Sequence, residues 1–318
     1  MDYPATFQQL RSWFPDDDAC GEYLARLRWP GGFVCPHCDS AESWRTSSGL
    51  WLCVKCRRKT SVTAGTILHR SRLPLTDWFA AVWFVTSQKN GVSALGLQRV
   101  LGFGSYQTAW AWLHKLRRAM VRPDRDDLEG LVEVDETLVG AREFGRKTAG
   151  RGTTNKAVVV IAVEMLNDQH RLGRVRLRHL REVSAASLCG FVAEVVTPGA
   201  RVRTDGWNVY ARLTADGYRH EVVNVVRSGD PAHVAMPGVH RVASLLKRWL
   251  AGTLHYGNSH AHLDYYLDEF TFRFNRRAAH HRGLLFDRLL QQATHTDPHP
   301  YRDLVGGAES ELDAYIWG

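Results

Sequence analysis

The chain has 318 residues, 44% of them hydrophobic and 23% charged, with a formal net charge of +8. These proportions exclude wholesale disorder, no apolar run reaches the roughly 18–20 residues of a membrane span, and the length predicts two or three domains. The positive balance favours a polyanionic partner, nucleic acid first, although an ordinary basic protein has the same charge.

Residues 1–32 read as an N-terminal helical segment, with Phe7, Leu10, Trp13 and Phe14 at helical spacing and Tyr23, Leu24 and Leu27 beyond the acidic Asp16–Asp18 break. No signal-like apolar core precedes them, so the protein reads as cytosolic, where disulfides are rare. Residues 33–65 hold Cys35-Pro-His-Cys38 and, 14 residues on, Cys53-Val-Lys-Cys56. Two such knuckles predict a zinc ribbon: each turn supplies two thiolates, and a structural Zn²⁺ takes four ligands in a tetrahedron. A disulfide pair is the rival reading, and the cytosolic setting argues against it. His37 is a spectator, Cys20 and Cys189 are ordinary buried residues, and Arg57, Arg58 and Lys59 would face outward where DNA phosphates can reach them.

Residues 66–122 read as a helical DNA-binding segment, with Pro74 as a start signal. Ser93–Leu101, a glycine turn and Ser105–Met120 follow the helix-turn-helix pattern. On that reading Ser105, Tyr106, Gln107 and Thr108 enter the major groove, while Lys115, Arg117 and Arg118 meet the backbone. Helical hairpins without a DNA role share this pattern, and Trp110 and Trp112 read as core.

Beyond a charged linker at Pro123–Asp127, strands are predicted at Leu131–Leu138, Ala157–Val163, Val175–His179 and Val202–Thr204, with helices at Ala185–Val196, Val239–Trp249 and Leu263–Phe274. This is an α/β domain over 128–295, followed by a tail at 296–318. Between the first two strands, Ala141–Lys156 carries Arg142, Arg146, Lys147, Arg151 and Lys156 against Glu143 and reads as a basic loop that contacts DNA.

Two carboxylates stand out. Asp135 lies inside the apolar strand Leu131-Val-Glu-Val-Asp135-Glu-Thr, where a buried charge is costly unless a metal or partner compensates. Glu133 shares its face by the two-residue period, and Glu136 points the other way. Asp205 ends the short strand of Arg201-Val-Arg-Thr-Asp205-Gly-Trp. Two strand carboxylates suit Mg²⁺, a hard ion, and phosphoryl transfer. No acid occurs between Asp230 and Asp264. The helix there offers His240 instead, with Lys247 two turns along the same face and Arg248 beside it.

Taken together, Val-Asp135-Glu-Thr, Thr-Asp205-Gly-Trp, the run His240–Thr253 and the run Tyr266–Arg277 resemble the DDE-superfamily transposases of bacterial insertion sequences, specifically the ISXO-two-like (IS-fifteen-ninety-five) family, and the zinc ribbon is another feature of it. The resemblance spans residues 5–290. It implies an RNase H-like fold, divalent-metal catalysis with Mg²⁺ or Mn²⁺, binding to double-stranded DNA at terminal inverted repeats, DNA cutting and joining, and a homo-oligomer on paired ends. Carried over by position, Asp135 and Asp205 are the first two catalytic acids and Lys247 the basic residue after the third. The third acid of the wider superfamily is Glu. Here His240 stands in its place, a softer ligand that favours Mn²⁺, with Glu269 in reserve or bridged to Arg273 or Arg276. The competing readings are a decayed, purely DNA-binding relative and a junction or repair nuclease on the same fold.

Overall fold

The computed structural model describes residues 2–122, 124–140, 156–166, 171–223, 232–254 and 262–305. The chain forms two compact units, Met1–Arg122 with Ala278–Gly318, and Pro123–Arg277.

The first unit opens with α1 (Phe7–Trp13) and α2 (Asp17–Arg28). The predicted acidic break is a helix start: Asp16 accepts the Ala19 N–H at 2.9 Å, and Asp17 and Asp18 sit in the first turn, where the helix dipole favours negative charge. The ribbon follows as β1 (Ser43–Arg45), β2 (Trp51–Cys53) and β3 (Lys59–Thr60), an antiparallel sheet in that order. Helix α3 (Leu75–Ser87) begins after Pro74. Helix α4 (Ala94–Leu101) is capped by Ser93 and closed by Gly102 in the left-handed region at φ 70°, and α5 (Tyr106–Ala119) follows three residues later.

The second unit is built on five strands: β4 (Leu131–Val139), β5 (Ala157–Leu166), β6 (Arg171–Leu180), β7 (Arg201–Asp205) and β8 (Arg219–Val223). Their order in the sheet is β6-β5-β4-β7-β8. The first three run antiparallel, and β7 and β8 run parallel to β4. Helix α6 (Ala185–Val195) and a 3-10 segment (Asn208–Thr214) cover one face, where Phe191, Val192, Tyr210 and Leu213 pack on Val132, Val134 and Val160. After the single turn α7 (Ala232–Ala235), helices α8 (Pro237–Leu254) and α9 (Leu263–Asn275) cover the other, where Val239, Val242, Leu246 and Phe270 meet Leu131, Val159 and Ile161. This mixed sheet with helices on both faces is the RNase H-like arrangement. Strand β8 was not expected from the sequence, since five residues with three polar ones give little alternation to read.

One boundary is corrected. Helix α10 (Arg282–His295) belongs to the first unit, so the α/β unit ends at Arg277 rather than 295. Phe286 packs among Phe79 and Trp83 at centroid distances of 5.6 and 5.7 Å, and the Tyr23 hydroxyl donates to Asp287 at 2.7 Å. The apolar face of α10 therefore finds its partners in the N-terminal helices.

Candidate active site and zinc ribbon

In the ribbon, the Cys35 and Cys56 sulfurs lie 3.6 Å apart, as do those of Cys38 and Cys53. A tetrahedron with Zn–S bonds of about 2.3 Å has S···S edges of about 3.8 Å, so the quartet fits zinc. All four sulfurs lie within 4.8 Å of one another. The two knuckles are built alike: Asp39 and Arg57 take positive φ and donate their N–H to the Cys35 and Cys53 carbonyls at 2.9 and 3.0 Å. Arg57, Arg58 and Lys59 are exposed. Arg57 lies over the Trp44 ring, and the Arg58 guanidinium is 3.0 Å from His37 Nδ1.

On the helical hairpin, Tyr106 and Gln107 are exposed at the first turn of α5, and Thr108 is partly buried behind them. Trp112 is core, stacked on Trp78 at 3.5 Å. One expectation is corrected. Arg117 is only 3% exposed and donates to the Val92 carbonyl at 3.2 Å, so it braces the hairpin from inside instead of facing a DNA backbone. Lys115 is half-buried, and burial lowers its ammonium pKa. Arg118 is exposed. Arg146 and Lys147 of the basic loop lie outside the described residues.

The carboxylate site sits where β4 and β7 run side by side. The parallel ladder ends on the pair Glu133 and Arg203, and Asp135 and Asp205 lie two residues beyond it, close enough for the Asp205 charge to act on Asp135. Odd-numbered residues of β4 face α8, so Asp135 points at the helix that carries His240 and Lys247. His240 Nε2 is 3.9 Å from Asp135 Oδ2. Burial pushes the Asp135 carboxyl up to about 6; the Asp205 charge adds to the rise, while the Glu136 N–H and the Lys247 ammonium oppose it. Asp205 Oδ1 accepts the Trp207 N–H at 3.0 Å, which turns the chain sharply at the strand end. Lys247 and Arg248 are exposed. Two part-buried carboxylates in mutual repulsion beside an imidazole are a donor set suited to a divalent cation. Asp135, Asp205 and His240 stand further apart than the cysteines, which are the one tightly closed group of this kind among the described residues.

Two neighbours of the site, Tyr210 and Arg203, had no signal in the sequence. Glu136 does face away from Asp135, yet it accepts a hydrogen bond from the fully buried Tyr210 hydroxyl. Burial, with Asp135 and Asp205 adding to it, pushes Glu136 up to about 7 against that bond. Glu133 and Arg203 form an ion pair beneath the aspartates at 3.7 Å. The two-residue period placed Glu133 on the right face; what it touches there was not legible. Glu269 is buried and accepts from Arg273 Nε and Nη2 at 2.9 and 2.7 Å, the bridged alternative to a ligand role.

A mixed five-stranded sheet with helices on both faces, preceded in the chain by a four-cysteine ribbon, defines the class of fold, RNase H-like with an N-terminal zinc ribbon. Residues 127–275 match the ISXO2-like transposase domain, and residues 15–59 match the transposase zinc-ribbon domain of the same family. Through both domains the chain belongs to the ISXO2-like transposases. No curated protein sequence matches it. Among solved structures, a chain of the simian T-cell lymphotropic virus intasome in complex with PP2A regulatory subunit B56 gamma is similar at 14% identity, over 65% of this chain and 76% of that one, with a TM-score of 0.32. Among the described residues no helix is long and apolar enough to cross a membrane.

Proposed function

We propose that this transposase binds the terminal inverted repeats of its insertion sequence and carries out divalent-metal-dependent strand cleavage and strand transfer. The observation that carries the reading is that Asp135 on β4 has His240 of α8 within 3.9 Å and feels the charge of Asp205 at the end of β7. Asp135 and Asp205 would hold Mg²⁺ or Mn²⁺ through carboxylate oxygens, with the His240 imidazole as third ligand. When bound, the metal supplies Lewis-acid activation of an attacking oxygen and offsets charge developing on the phosphate. Lys247, exposed on the same helix face, would hold a DNA phosphate next to them, with Arg248 on the adjoining backbone.

Recognition of double-stranded DNA would fall to the first unit. Gln107 and Thr108 would read base edges at the start of α5, while Arg57, Arg58, Lys59 and the half-buried Lys115 would supply phosphate contacts, joined by Arg146 and Lys147 of the basic loop. Structural Zn²⁺ on Cys35, Cys38, Cys53 and Cys56 would keep the ribbon folded, and a homo-oligomer would act on paired ends.

The test is cleavage of a labelled DNA end, taken from the element that encodes the chain, in Mg²⁺ and in Mn²⁺. Metal-dependent nicking that disappears in Asp135→Ala, Asp205→Ala and His240→Ala, with end binding retained, is the expected result. Specific binding without nicking in either metal would leave only the decayed, DNA-binding reading.

A further inference from the structure

Glu133 is completely buried. It lies two residues before Asp135 on the same face of β4, one pleat below the aspartate row. Its Oε2 accepts the backbone N–H groups of Gly238 and Val239 at 2.8 and 3.0 Å. These belong to the first turn of α8, where N–H groups have no partner within the helix, and the next residue is His240. Glu133 Oε1 faces Arg203 Nη1 at 3.7 Å and has no hydrogen bond of its own. Arg203 is anchored on its other side by Glu221, whose Oε2 accepts from Nε and Nη2 at 3.3 and 3.2 Å. Glu133, Arg203 and Glu221 are cross-strand partners on β4, β7 and β8, so the row runs straight across the sheet.

The contact leaves little room at Gly238. A Cβ there would come 2.9 Å from Glu133 Oε2 and 2.3 Å from the Met165 sulfur, so an alanine would displace the ends of both side chains, the carboxylate among them. A core needing only to be filled would place an apolar residue at 133, because burying a carboxylate is costly. The carboxylate sits where it ties one strand to one helix.

We propose that Glu133 is a positioning residue: it locks the first turn of α8 to β4, with Arg203 steering its carboxylate and Gly238 leaving room, and so sets the approach of His240 to Asp135. This rests on Asp135, Asp205 and His240 forming the catalytic centre. A misplacement of about 1 Å at such a centre costs on the order of 10²-fold in rate.

The test uses the full chain and compares wild type with Glu133→Ala, Glu133→Gln and Asp205→Ala. Two readouts are taken: kcat and KM for cleavage of the labelled end in Mn²⁺, and amide exchange of residues 238–243 in the metal-free, DNA-free protein. Glutamine keeps a carbonyl acceptor at the same reach; alanine keeps none. The expected result is a kcat about 10²-fold lower for Glu133→Ala with KM unchanged and faster exchange at 238–243. Glu133→Gln should recover wild-type exchange and most of the rate. Should Glu133→Ala fail to fold, Gly238→Ala replaces it, since that change keeps every charge and displaces the Glu133 carboxylate end from its place. Wild-type kcat in a folded Glu133→Ala or Gly238→Ala protein would overturn the inference, as would unchanged exchange, or kcat and end affinity falling together. Cleavage by Asp205→Ala at the wild-type rate would instead overturn the active-site reading, and this inference with it.

Discussion

Four carboxylates lie within β4 and β5, and each is held by a different device. Glu133 takes two helix N–H groups, Asp135 takes the N–H of its own neighbour, and Glu136 takes a tyrosine hydroxyl. Glu164, 5% exposed on β5, is surrounded by donors: Arg174 Nε and Nη2, the Arg174 N–H at 2.9 Å and the Glu129 N–H at 3.0 Å. Gly173 admits this packing, because a Cβ there would come 2.7 Å from that of Glu164. Burial alone would raise the Glu164 carboxyl, but the Arg174 side chain and these N–H groups outweigh it and hold it below its ordinary 4.5. A carboxyl depressed in the folded state contributes stability above its unfolded pKa and loses it as pH falls through the folded value. Glu164→Gln should therefore cost about 2–4 kcal/mol at pH 7. In urea melts its deficit against wild type should shrink steadily below about pH 4.5. A deficit independent of pH would show that shape, not charge, is what Glu164 supplies.

At the scale of elements, β6 is the edge of the sheet, and an open edge invites pairing with another chain. The end of α9 and the residues after it cover that edge. The Asn275 side chain accepts the Val175 N–H at 2.8 Å and donates to the Val175 carbonyl at 3.1 Å, as a neighbouring strand would. Arg277 donates to the Gly173 carbonyl at 3.2 Å and to that of Leu172. The Phe-Asn-Arg-Arg end of the run Tyr266–Arg277 thus has a structural use at the β6 edge. Asn275→Ala should lose about 1–3 kcal/mol. Exchange of the Val175 amide should speed up while amides of β7 stay unchanged. Equal acceleration on both strands would mean that Asn275 supports the whole sheet and not its edge.

At the scale of the whole molecule, the chain leaves its first unit at Arg122, builds the α/β unit and returns at Ala278. Phe286 is the residue that makes the return matter, being fully buried among Phe14, Tyr23, Phe79 and Trp83. Phe286→Ala should destabilise the first unit by about 3–5 kcal/mol, the usual cost of emptying a buried aromatic site. Amide exchange should report the loss in α2 and α3, with β4 and β5 at wild-type protection. Loss of protection in β4 to the same extent would show that the two units unfold as one.

Local spacing was enough to read much of this protein. Two Cys-x-x-Cys turns specify a zinc ribbon because the ligands come from within each turn. An aspartate in an apolar strand, a second at a strand end and a histidine seven residues before a lysine on one helix face are likewise local patterns, and their joint occurrence pointed to the family. Contacts across long stretches of chain had no such signal. That Glu133 caps a helix 105 residues away, that Tyr210 engages Glu136, that Arg117 turns inward to Val92 and that α10 leaves the α/β unit all depend on which surfaces the fold brings together. Periodicity says which face a side chain takes; only the tertiary structure decides what waits there, because each partner is set by sheet order and helix docking rather than by its own neighbours in sequence.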